Sequence, residues 1–253
     1  MNTMSPQETF VPDVPVIALD AAHLESQGIV GFNTKDMRAR PYNLLRSQLM
    51  KKMAEGNHSL VGVTSAVPGA GKSFTVVNLA LSLAKLEKFP VVLVDLDFRR
   101  GSLATYLGLQ PQAGVAEALA GDATFGSLEM RVGNSHLTVL PALMGDESGS
   151  TLMSGPSFDD FLAHVRTLAG NGIAIFDLPP VFADDDAVIA TQRFDGYLLL
   201  AEAGTTPAKH ISDSIERLKP ARCLGTILNR YHGGMFDSYR YGYGYGYGSY
   251  NAA

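Results

Sequence analysis

Residues 1–37 carry no sustained hydrophobic period; Pro6, Pro12 and Pro15 stand among scattered polar positions, as in an extended or disordered N-terminal arm. From residue 38 the pattern changes. Pro41 stands near a helix start, and Leu44, Leu45, Leu49 and Met53 recur on one helical face up to Gly56. Short apolar runs follow at 60–64, 91–94, 137–140, 173–176, 197–201 and 223–228, with helical periods at 73–86, 158–169, 183–192 and 207–218. Runs apolar on both faces and separated by helices predict an α/β domain over 38–230, a mostly parallel sheet with helices on both faces. Ligands of such sheets bind beyond the carboxyl ends of the strands. Residues 231–253 form a third region: Tyr239-Arg-Tyr-Gly-Tyr-Gly-Tyr-Gly-Tyr-Gly-Ser-Tyr250 alternates glycine with tyrosine and predicts a mobile tail holding six of the ten tyrosines.

Charge and composition narrow the function. The 20 basic and 25 acidic residues sum to −5, which argues against a nucleic-acid-coating protein. A single cysteine, Cys223, excludes an internal disulfide framework and fits a reducing compartment. The sequence holds no apolar run of about 18 residues, and its start has no basic and apolar blocks of a secretory signal, so a cytoplasmic protein is expected. The six histidines show no metal-ligand spacing.

The candidate chemistry lies at three strand ends. Ala66-Val-Pro-Gly-Ala-Gly-Lys-Ser73 follows an apolar run, opens a helix, and matches the phosphate-loop pattern except at its first glycine, here Ala66. Gly69 and Gly71 let backbone N–H groups wrap phosphates at a helix N-terminus, with Pro68 and Ala70 in the same loop and Phe74 just inside the helix. Lys72 supplies a compact charge and the Ser73 hydroxyl a Mg²⁺ ligand. The second end, Val-Asp95-Leu-Asp97-Phe-Arg99, puts two aspartates in alternate positions, so that both face one side of a strand. The third, Ile-Phe-Asp177-Leu-Pro-Pro180, supplies one more carboxylate for a metal. An aspartate after an apolar run is by itself commonly a turn or helix cap; beside a phosphate loop, three of them mark the ligand edge. Asp184-Asp-Asp186 reads as a helix start, and Tyr42, Tyr106, Tyr197 and Tyr231 as packing or surface residues.

Together, the loop at 66–73, the Asp95–Arg99 run, Asp177-Leu-Pro-Pro180 and the tyrosine tail resemble the bacterial tyrosine kinase family, over about residues 38–253. That resemblance implies a P-loop NTPase fold and an ATP- and Mg²⁺-dependent autokinase of capsule and exopolysaccharide export. It implies Walker A at 66–73, Walker A′ at 92–99 and Walker B at 173–177. Lys72 and Ser73 would hold phosphate and Mg²⁺, Asp97 and Asp177 would help hold Mg²⁺, and Asp95 would take the tyrosine proton. Asn229 would contact adenine. Tyr239, Tyr241, Tyr243, Tyr245, Tyr247 and Tyr250 would be the phosphorylated cluster. The implied partners are a membrane-spanning polysaccharide co-polymerase that recruits and activates the chain at the inner face of the membrane, a tyrosine phosphatase, and further copies in a homo-oligomer.

Two positions depart from the family. Arg40, Asn43 and Arg46 stand where it carries Glu-x-x-Arg-x-x-Arg, a self-association motif, so only Arg46 matches; Leu178 replaces a usual threonine. The competing reading is a nucleotide-switched positioning or partition ATPase, which usually has a lysine where this chain has Val67. A weakly catalytic assembly scaffold is the third.

Overall fold

The computed structural model describes residues 16–33, 35–56, 58–133, 136–145 and 149–231. Among the described residues the strands are β1 (Val16–Ile17), β2 (Leu60–Ser65), β3 (Val91–Asp95), β4 (Met130–Val132), β5 (Leu137–Leu140), β6 (Ile173–Asp177), β7 (Gly196–Glu202) and β8 (Cys223–Asn229). The helices are α1 (Ala21–Ser26), α2 (Arg40–Gly56), α3 (Lys72–Ala84), α4 (Ser102–Leu107), α5 (Val115–Ala120), α6 (Gly149–Ser154), α7 (Pro156–Ala169), α8 (Asp186–Thr191) and α9 (Ala208–Arg217). All six expected apolar runs are strands, in one sheet of order β1-β4-β5-β3-β6-β2-β7-β8. Every neighbouring pair is parallel except β4–β5.

Alternation across the strands builds two cores. Val61, Val63, Leu93 and Ile175 face α3 through Val76, Leu79 and Leu83, with Leu49 of α2 behind them. Val92, Val94, Ala174 and Phe176 face α7 through Phe158, Phe161 and Val165. With both faces covered, β2, β3 and β6 are buried along their whole length. The parallel register brings their carboxyl ends to one edge, with Asp95 directly beside Asp177. Leu178, the departure from the family pattern, is fully buried against Gly62 and is a core residue.

The expected N-terminal arm is corrected from residue 16 onward. There the chain forms a strap that pairs β1 with β4 and buries Leu24, Ile29 and Val30. Asn78 of α3, itself fully buried, clips it: its Oδ1 accepts the backbone N–H of Val30 at 2.8 Å and of Gly31 at 2.9 Å. Neither a two-residue strand nor a six-residue helix has room for a hydrophobic period, and the contacts that hold them are remote in sequence. Residues 1–15 of that expectation, and the tail from 232 with its six tyrosines, lie outside the described residues. Among the described residues no helix is long and apolar enough to cross a membrane.

Asp195 ties the amino end of β2 to the chain entering β7. Its Oδ2 accepts N–H from Ser59 at 2.7 Å and Leu60 at 2.8 Å, and Arg166 stands 3.4 Å away. Burial pushes its carboxyl up, but the two backbone bonds and Arg166 together outweigh it and hold the pKa below the ordinary 3.8. A carboxyl depressed in the folded state contributes stability above its unfolded pKa and loses it as pH falls through the folded one. Asp195→Ala is therefore expected to cost about 1–3 kcal/mol at neutral pH. In urea unfolding the deficit should shrink below the ordinary carboxylate pKa, and an equal deficit at acid pH would refute the assignment.

Candidate active site

The loop between β2 and α3 is shaped by two glycines in left-handed conformation, Gly69 at φ 80° and Gly71 at φ 86°. A Cβ on Gly69 would meet nothing within 4 Å, so the space above the loop is open. At Gly71 a Cβ would stand 2.3 Å from Asn229 Nδ2. Asn229, at the end of β8, donates that amide to the Ala70 carbonyl at 2.8 Å and braces the loop from beneath. Thr64 Oγ1 donates to the Pro179 carbonyl at 2.7 Å, tying the end of β2 to the segment after Asp177. Asn229→Leu removes one brace; at about 1 kcal/mol for a net hydrogen bond, nucleotide affinity should fall several-fold in a titration with a fluorescent analogue while the fold persists. Unchanged affinity would contradict the brace.

Two acidic side chains meet Lys72, which is only 7% exposed. Its Nζ lies 2.7 Å from Asp177 Oδ1 and 3.3 Å from Asp97 Oδ2. Burial acts to lower the lysine pKa, but the charges of Asp177 and Asp97 outweigh it and hold it above the ordinary value. At Asp177 burial wins: its carboxyl is pushed up despite the charge and hydrogen bond of Lys72 and the Ser73 side chain. Asp177 Oδ2 is buried without a hydrogen-bond partner among the described residues. A divalent cation suits that orphaned oxygen, and the all-oxygen set of Ser73, Asp97 and Asp177 is hard-ligand chemistry of the kind Mg²⁺ takes.

Asp95 is placed differently from expectation. β3 ends at Asp95, so the strand alternation that would put Asp95 and Asp97 on one side stops there. The chain turns instead, and Asp95 accepts the N–H of Asp97 and of Leu103, each at 3.1 Å. Asp95 is fully buried, while Asp97 lines the cavity of about 270 Å³ in front of the loop. Burial, then the charge of Asp177, pushes the Asp95 carboxyl well above the usual range.

Lys72, Ser73, Asp97 and the glycines are thus brought to one cavity, with Pro68 and Phe74 in its wall. In that wall Ser102 went unflagged in the sequence, and Tyr106 was read there only as a packing or surface residue. Their signal was position, because they follow the carboxyl end of an acidic strand in a parallel sheet. Asp186 opens α8 as expected, and Arg99 pairs with Asp184. On α2, Arg46 Nη1 donates to the Ser82 carbonyl at 2.8 Å and Ser82 Oγ donates to Asn43 Oδ1 at 3.0 Å. Two of the three positions corresponding to the self-association motif therefore bind α3 of the same chain.

No protein-family model matches the chain. It is 32% identical over 213 residues to a putative tyrosine-protein kinase, EpsB of Ralstonia nicotianae, covering 78% of this chain and 27% of that protein. It is 29% identical over 209 residues to the tyrosine-protein kinase YwqD of Bacillus subtilis, covering 82% and 87%. The chain thus spans about a quarter of the length of the first relative and most of the second. The kinase domain of the Escherichia coli tyrosine kinase ETK superposes with a TM-score of 0.73 at 26% identity, over 79% of each chain. A ParA family ATPase from Chlorobium tepidum, with a TM-score of 0.57 at 17% identity, shares the fold alone. Over about four fifths of its length the chain is thus similar to bacterial tyrosine-protein kinases.

Proposed function

We propose that the chain is an ATP- and Mg²⁺-dependent tyrosine autokinase that phosphorylates its own tail and regulates exopolysaccharide or capsule polymerisation and export. The observation that carries this reading is the placement of Lys72 between Asp97 and Asp177 at the head of an open glycine cradle. In that arrangement the backbone N–H groups of 69–73 and the start of α3 bind phosphate oxygens, and Lys72 turns its charge from the carboxylates to the transferring group. Ser73, Asp97 and Asp177 would hold magnesium, which would supply charge against the phosphate oxygens. A tyrosine hydroxyl, with a reference pKa of about 10, is a weak nucleophile at neutral pH and needs a proton acceptor beside a fixed phosphate.

The phenolic oxygen bonds to the γ-phosphorus of ATP, the bond to the bridging oxygen breaks with its electron pair leaving on ADP, and the phenolic proton passes to the Asp95–Asp97 pair. Asp97 is the member of the pair that faces the cavity; Asp95 holds the turn around it. The proposed acceptors are Tyr239, Tyr241, Tyr243, Tyr245, Tyr247 and Tyr250, and each phosphate adds about −1.5 to −2 charge to the tail. A membrane-spanning activator and a tyrosine phosphatase complete the proposed cycle, at the inner face of the membrane.

Truncation after Tyr231 tests the acceptor assignment. The truncated chain should hydrolyse ATP and take up no phosphate, while peptide mapping of the full chain should place the phosphates within 239–250. Phosphate retained on the truncated chain would overturn it.

A further inference from the structure

We propose that the acceptor tyrosine enters along the β3 flank of the cavity, walled by Phe74 and Tyr106 and held at its phenolic oxygen by Ser102, and that the acceptor class is tyrosine flanked by glycine. This rests on the kinase reading above and adds the residues that receive the second substrate.

Ser102 Oγ is buried in the cavity wall and has no hydrogen-bond partner among the described residues. A buried hydroxyl is costly to leave unpaired, so an orphan that lines a reaction cavity calls for a ligand group. The turn that carries it is held rigidly. Arg100 and Gly101 each donate N–H to the Asp97 carbonyl at 2.9 Å, and Leu103 donates to Asp95 at 3.1 Å. Gly101 sits at φ +50°, where a Cβ would stand 2.8 Å from the Ala142 carbonyl oxygen. Asp95 therefore acts on the acceptor side of the site by fixing where Ser102 stands.

Tyr106 lies one helical turn after Ser102 on α4, on the same face. Its ring meets that of Phe74 at 6.1 Å and 65°, and Phe74 meets Tyr42 at 6.4 Å and 70°. The half-buried Phe74 and Tyr106 end this edge-to-face row at the cavity, where an arriving phenol extends it in the geometry aromatic rings prefer. Phe74 directly follows Ser73, so a ring seated there lies beside the phosphate site.

On the β8 side the cavity is lined by Arg230, next to Asn229, the residue that the family resemblance assigns to the base. β3 and β8 each stand two places from β2 in the sheet, on opposite sides. A nucleotide that follows Asn229 leaves the Asp97, Ser102 and Tyr106 flank to the acceptor. Glycine on either side of the tyrosine has no Cβ and lets its backbone approach such a wall closely. The repeat of 241–248 supplies that chemistry three times over, at Tyr243, Tyr245 and Tyr247.

The test uses the full chain and variants Ser102→Ala, Ser102→Thr, Tyr106→Leu and Tyr106→Phe. Initial phosphate uptake is followed by intact mass over a range of ATP concentrations, with a synthetic Gly-Tyr-Gly-Tyr-Gly peptide as competitor. Ser102→Ala should slow uptake at saturating ATP at least ten-fold, with KM for ATP within two-fold of the parent, and Ser102→Thr should restore most of the rate. Tyr106→Leu should weaken inhibition by the peptide about ten-fold, and Tyr106→Phe should not. A competitor with valine in place of glycine should inhibit at least ten-fold more weakly. Parental rates in Ser102→Ala, or a KM for ATP that rises with the loss in Tyr106→Leu, would overturn the proposal; the second would make the wall a nucleobase site. Absence of uptake in the parent would sink the kinase reading itself, a different result from parental uptake with indifferent variants.

Discussion

Lys72→Met is expected to lower phosphate uptake by about 10²–10³-fold and to destabilise the free protein by about 3–5 kcal/mol. The catalytic loss follows from removing the one lysine placed to meet the phosphate charge. The stability loss follows from the same geometry. Asp177 is fully buried and Asp97 4% exposed, and Lys72 is the cation hydrogen-bonded to both. Without it the carboxylates must either stay charged in a poor dielectric or take up protons. The deficit should therefore widen as pH rises through the carboxylate range and narrow below it. Magnesium suits the same oxygens, so saturating Mg²⁺ should raise the Tm of Lys72→Met more than that of the parent. Urea unfolding across pH and a thermal melt with Mg²⁺ read these effects. A variant as stable as the parent at neutral pH would show that the carboxylates do not depend on Lys72.

Gly31→Ala has the second large expected effect, a loss of about 2–5 kcal/mol. The added Cβ would stand 2.1 Å from the backbone carbonyl oxygen of Asn78, and neither backbone can yield without breaking the clip. Releasing the strap leaves Asn78 Oδ1 without the N–H groups of Val30 and Gly31 and uncovers Leu24 and Ile29. Asn78→Leu should give a comparable loss from the other partner, because it leaves both buried N–H groups without an acceptor. The strap also reaches the site: a Cβ on Gly28 would lie 3.4 Å from the ring of Phe74. Hydrogen exchange over residues 16–33 should rise in both variants, together with a lower urea midpoint. Parental exchange in that segment would refute the clip.

The phosphate loop and the acidic strand ends were legible in the sequence because their chemistry is local: Gly-Ala-Gly-Lys-Ser and Asp-Leu-Asp each occupy a single turn at a strand end. The core strands were legible because burial on both faces leaves unbroken apolar runs. The strap was not, since its stability comes from Asn78, 48 residues beyond Val30. The distinct places of Asp95 and Asp97 were hidden as well; they depend on where β3 ends, and that is set by the turn back to Asp97 and Leu103. Ser102 and Tyr106 carry no motif, and only the fold brings them beside Phe74. Arg46 was read through a motif for self-association, yet its Nη1 donates to Ser82 within the chain.

The most direct test of the central claim is the intact mass of the full chain after incubation with ATP and Mg²⁺, beside Lys72→Met, with and without a candidate activator segment. The account predicts a ladder of phosphate-sized additions in the parent and none in Lys72→Met. ATP hydrolysis by the parent with no addition under any condition would contradict it and favour a nucleotide-driven switch on the same fold.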